Sequence, residues 1–92
     1  MPAWTVYTWH YVAPGETVGA YIHGYSESEA TIYSATVSPL AGDAYAPLGR
    51  INLTQGIVAR HVDGRVAREA WVQNLASFNP CAVRLDVISE SL

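Results

Sequence analysis

Lysine is absent from this 92-residue chain, and all five basic residues are arginine. Charged residues are 14% of the total and the formal net charge is -3. An average globular protein carries roughly 25% charged residues. A chain this poor in positive charge lacks the basic patch that binds a nucleic-acid polyanion. Cysteine occurs once, at Cys81. No intrachain disulfide can form, which excludes a small secreted scaffold stapled by bridges. No stretch approaches the roughly 20 apolar residues of a membrane-spanning helix. The opening Met1-Pro2-Ala3-Trp4-Thr5 has neither the basic region nor the apolar run of a signal peptide. The expectation is therefore no nucleic-acid and no membrane partner and, for a complete chain, a cytoplasmic location. Without a secretory signal, the Asn52-Leu53-Thr54 triplet is read as a chance sequon.

What is present is apolar: hydrophobic residues are 50% of the chain, too many for a disordered segment. Area scaling gives roughly 5,200 Å² folded against roughly 14,500 Å² unfolded, enough burial for one thin core. One domain, residues 1–92, is expected. Turn residues recur at short spacing and no segment holds a 3.6-residue period, the pattern of an all-β sandwich or barrel. Seven strands are predicted, at residues 3–12, 17–25, 30–38, 48–55, 57–62, 65–75 and 81–89, with a long loop at 39–47. Asp63-Gly64 between β-rich flanks predicts a hairpin, read as a type I′ turn. A helix over residues 66–75 competes, because Ala67, Ala70, Trp71 and Leu75 share a helical face. The Asp-Gly turn and the β-branched flanks favour a strand there.

The predicted fold is a seven-stranded antiparallel β-sandwich. Immunoglobulin-like and fibronectin-like sandwiches, or a small jelly roll, have this size and strand count. The Cys-Trp-Cys pattern of immunoglobulin domains is missing, and a shared architecture carries no function.

Strand alternation assigns faces. Val18, Ala20 and Ile22 are expected to face the core, opposite Tyr21, His23 and Tyr25. In the first strand Trp4, Val6 and Val12 alternate with Tyr7, Trp9 and Tyr11. The Pro14-Gly15 turn is expected to join these two strands into a hairpin, so that their outer faces merge. The merged surface carries Tyr7, Trp9, Tyr11, Tyr21, His23 and Tyr25, the candidate partner-binding set. A contiguous aromatic patch on a monomer normally binds something. In the last strand Cys81, Val83, Leu85 and Val87 point inward, and Arg84 and Asp86 outward.

The chemistry-bearing residues form no catalytic pattern. No two of His10, His23 and His61 lie within ten residues of each other, so no metal site is expected. His61 and Asp63 flank the predicted turn, yet no nucleophile stands beside them and Gly-x-Ser-x-Gly is absent. A buried Cys81 is inert. Should the last two strands pair, Arg60, Glu69, Arg84 and Asp86 would make a solvated charge ladder. No catalytic residue and no cofactor is assigned. The first expectation is a non-catalytic interaction or structural module that assembles through its aromatic face, as a homo-oligomer or with another protein. The alternative is a lectin-like carbohydrate-binding module using the same face. An enzyme is the weakest class.

Overall fold

The computed structural model describes residues 3–40 and 49–91. Of the predicted loop at 39–47, residues 41–47 lie outside them, as does the start of the predicted fourth strand at Leu48, while Pro39 belongs to the third strand. Among the described residues there is no helix. The elements are β1 (Ala3–Val12), β2 (Thr17–Ser26), β3 (Glu29–Pro39), β4 (Ile51–Arg60), β5 (Arg65–Asn74) and β6 (Cys81–Ser91). They form two antiparallel three-stranded sheets, ordered β1-β6-β3 and β2-β5-β4. Residues 66–75, the helix competitor, lie in or next to β5. Among the described residues six strands replace the expected seven, because β4 runs straight through Gly56. That glycine pairs with Glu69, and its φ is not among the positive ones.

The hairpin expected at Pro14-Gly15 is not formed. The turn itself is there: Glu16 N–H donates to the Ala13 carbonyl at 3.0 Å, and Gly15 has φ +79°. Proline followed by a positive-φ residue is the type II pattern. Its twist splays flanking strands rather than pairing them. β1 and β2 accordingly enter opposite sheets, β1 beside β6 and β2 beside β5. β5 and β6 also part into different sheets, so the charge ladder across them does not exist.

Among the described residues only β4 and β5 form a hairpin between consecutive strands. Its turn is not type I′, since Asp63 lacks a positive φ and Gly64 has +85°. Gly64 N–H donates to the His61 carbonyl at 3.1 Å and His61 N–H to the Arg65 carbonyl at 2.8 Å. This is a three-residue loop ending in a glycine bulge. Asp63 Oδ1 accepts from Arg65 N–H at 3.1 Å, which accounts for the aspartate structurally.

The core lies between the two sheets. β6 gives Cys81, Val83, Leu85 and Val87, and β5 gives Val66, Ala70 and Val72, all buried. Each full burial of a Leu or Val contributes about 1.5–3 kcal/mol. Val18, Ile51 and Leu53 from one sheet and Trp9, Ala35 and Val37 from the other pack against this centre. β2 keeps its expected parity through Ile22. β1 does not, because its pairing with β6 slips between Thr5 and Tyr7 and again between Trp9 and Val12. Each slip adds a residue and reverses the alternation. Trp9 therefore faces inward opposite Val83 and packs against both core clusters.

One end of the interior is polar. Glu29 Oε1 accepts from Ser26 N–H at 3.0 Å and its Oε2 accepts from the Ser89 hydroxyl at 2.8 Å. Arg68 Nη2 donates to the Glu29 carbonyl at 2.9 Å. The Ser26 N–H foremost, then the Ser89 hydroxyl, with help from the Ser26 hydroxyl and Arg68, hold the Glu29 carboxyl below the usual 4.5. A depressed folded pKa stabilises above the unfolded value and loses that contribution as pH falls through the folded one. Melting wild type and Glu29→Gln from neutral to acid pH should show a wild-type advantage at pH 7. That advantage should shrink once pH drops below 4.5. A pH-independent gap would contradict this role for the charge.

Candidate functional site

The outward face of the β2-β5-β4 sheet holds an organised group of side chains, with Tyr21, His23 and His61 exposed and Glu69 and Trp71 half-buried. Register sets it out: Gly19 lies beside Trp71 and Tyr21 beside Glu69. Across β5, Thr54 lies beside Trp71 and Gly56 beside Glu69. The Trp71 ring occupies the space a Gly19 side chain would fill: a Cβ there would sit 2.4 Å from Trp71 Cε3. The ring thus lies across the β2 backbone. Tyr21 meets it edge-on, with centroids 5.8 Å apart and planes at 90°. Trp71 Nε1–H donates to Glu69 Oε2 at 2.9 Å, fixing both side chains. At the β4–β5 turn, His23 and His61 approach to 5.7 Å between ring centroids. Two aromatics, a braced carboxylate and two imidazoles thus share one face.

The six aromatic-face residues do not form one surface. Tyr21 and His23 are exposed as expected, on the β2 side of this face. Tyr7 and Tyr11 are exposed on β1, in the other sheet, at 56% and 62%. Tyr7 leans on Trp9, with centroids 5.0 Å apart, and Trp9 itself belongs to the core. Tyr25 turns inward because β2 slips its register between Ile22 and Tyr25. It stacks on Trp4 at 5.9 Å. Its phenol is raised above 10.0 by burial, then by Tyr33 and Glu29.

Trp71, Glu69 and His61 were missed as partners of Tyr21 and His23. Parity along β5 alone puts Glu69 and Trp71 opposite Ala70 and Val72. What the sequence hides is that β5 lies beside β2.

Among the described residues no three His, Cys, Asp or Glu side chains come together to hold a metal. Cys81 is fully buried, and burial pushes its thiol pKa up, the opposite of a reactive cysteine. Arg60 pairs with Glu27 and Arg84 with Asp86. These pairs are largely exposed, and such pairs contribute about 0–1 kcal/mol.

Comparison of the chain with protein-family models, curated proteins and solved structures finds no match.

Proposed function

We propose that this domain is a non-catalytic interaction module that pairs with a second copy of itself through the outward β2-β5-β4 face. The observation that carries this reading is the braced group of Tyr21, Trp71 and Glu69 beside His23 and His61. Interface centres are enriched in Tyr and Trp and depleted in charge. A surface with only 14% charged residues in the chain is poorly suited to solitary life in water. The face also complements itself. A two-fold interface is self-complementary, and this face carries both an acceptor carboxylate, Glu69, and a pair of imidazoles that such an arrangement can match.

In the same reading the strand order belongs to a reduced jelly roll. The pairs β1:β6 and β2:β5 form a folded ribbon, with β3 laid beside β6 and β4 beside β5. Immunoglobulin and fibronectin sandwiches instead use hairpins within one sheet.

A carbohydrate is the competing occupant of this face, since the right-angled Tyr21–Trp71 corner with a carboxylate suits a sugar ring. Tyr21→Arg separates the two. Light scattering on a sizing column is expected to give about 20 kDa for the wild type, twice the 10.0 kDa chain, and a single-chain mass for the variant. A variant that keeps the wild-type mass overturns the reading. A monomeric wild type whose tryptophan emission responds to sugars, with the response lost in Tyr21→Arg, assigns the face to carbohydrate.

A further inference from the structure

We propose that the opposite face, the outside of the β1-β6-β3 sheet, is a groove for an uncharged oligosaccharide, with two subsites that share Arg84. This stands on residues separate from the self-association face. Two shallow depressions lie side by side on this sheet. One, about 340 Å³, is bordered by Trp4, Thr5, Ser34, Arg84, Asp86 and Ile88. The other, about 290 Å³, is bordered by Thr8, His10, Thr36, Ser38, Ala82 and Arg84, with Val83 beneath.

Register explains the groove. β6 runs down the middle with a strand on each side. Arg84 has Thr8 and Thr36 as its two neighbours, and Asp86 has Thr5 and Ser34. Ala82 lies beside Ser38, and its small side chain keeps the second depression open. The span from Ala82 to Asp86 is four residues, about 13 Å at roughly 3.3 Å per residue. That length accommodates more than one sugar ring.

The chemistry is that of polyol recognition. Five hydroxyls flank the central arginine. Asp86 fixes that arginine, accepting from Arg84 Nε at 3.1 Å, and Thr5 holds Asp86 through a 2.9 Å hydrogen bond. A guanidinium carries five N–H donors, and one braced in this way keeps donors for a ligand without losing further rotamer freedom. Ile88, beside Ile32 on β3, borders the first depression together with Trp4 and gives it apolar surface for the apolar side of a sugar. Asp86 offsets the charge of Arg84 and the chain is net negative, which disfavours sulfated or uronic glycans.

The test is calorimetric titration of the whole chain with cellohexaose, xylohexaose, maltohexaose and laminarihexaose, with glucose and xylose as single-ring probes and dextran sulfate as the charged one. At least one neutral hexasaccharide is expected to bind, and its monosaccharide at least tenfold more weakly, the mark of two linked subsites. Arg84→Ala and Thr36→Ala, both exposed positions, should each weaken binding by about tenfold with unchanged circular dichroism. Tyr21→Arg on the other sheet should bind as wild type. The proposal is overturned if no neutral hexasaccharide titrates at millimolar concentration, if dextran sulfate is preferred, or if Arg84→Ala binds as wild type. Loss of sugar binding in Tyr21→Arg with retention in Arg84→Ala would overturn it too, and would move the sugar to the opposite face.

Discussion

Asn74→Ala is expected to destabilise the domain by about 4 kcal/mol, from the cost of leaving several buried polar groups unpaired. Asn74 is fully buried at the end of β5. Its Nδ2 donates to the carbonyls of Val12 and Asn79, both at 3.1 Å. Its Oδ1 accepts from Ala76 N–H at 2.9 Å. One side chain therefore ties the end of β1 in one sheet to the loop that carries the chain from β5 across to β6. Its backbone adds bonds to Gly15 and Glu16, so the β1–β2 turn docks on the same residue. Alanine leaves two carbonyls and one N–H without partners where water does not reach. Asn74→Asp keeps an acceptor for Ala76 but turns a carboxylate toward two carbonyl oxygens, and should be no better than alanine. Gln73→Ala is the comparison. That side chain makes one long contact, 3.5 Å to the Gly15 carbonyl, and its loss should stay within about 0.5 kcal/mol. Urea unfolding of the three variants checks the order. A loss under about 1 kcal/mol in Asn74→Ala would mean that the side chain is not the clamp.

Gly19→Val should cost about 3 kcal/mol, at the upper end of ordinary overpacking. The obstacle is twofold. A Cβ at Gly19 would lie 2.4 Å from Trp71 Cε3 and 2.5 Å from the Ala70 carbonyl oxygen. The indole can swing aside, but the carbonyl moves only if β2 draws away from β5. The substitution therefore strains the sheet and lifts Trp71 from its place against Tyr21 and Glu69. A changed tryptophan emission should accompany the lost stability. Gly56→Ala, on the far side of β5, is the internal control. Its Cβ would meet Glu69 Oε1 at 3.5 Å, an ordinary contact, and its φ is not positive. That variant should match the wild type or gain up to about 1 kcal/mol from a stiffer unfolded chain. Equal tolerance at the two glycines would contradict the placement of Trp71.

Alternation was readable wherever a strand pairs without interruption. β6 pairs with β3 in unbroken register, and Cys81, Val83, Leu85 and Val87 face inward as the alternation predicts. β2 follows its pattern as far as Ile22. The pattern fails at register slips, which add one residue and leave no reliable mark in a single sequence. That is why Trp9 and Tyr25 point inward. Turn chemistry marked both the Pro14-Gly15 and Asp63-Gly64 turns, but only the second joins paired strands. The difference lies in turn twist, set by which residue takes positive φ. The groups around Trp71 and Arg84 depend on which strands lie side by side. β2 and β5 meet across some fifty residues of chain, a pairing that local propensity does not encode.

The central claim is that the outward β2-β5-β4 face is covered by another copy of the chain. Sedimentation equilibrium of the unaltered protein over a dilution series addresses it most directly. The prediction is a mass near 20 kDa, twice 10.0 kDa, that falls toward the single-chain value only on strong dilution. A constant 10.0 kDa up to the highest concentration reached would contradict it.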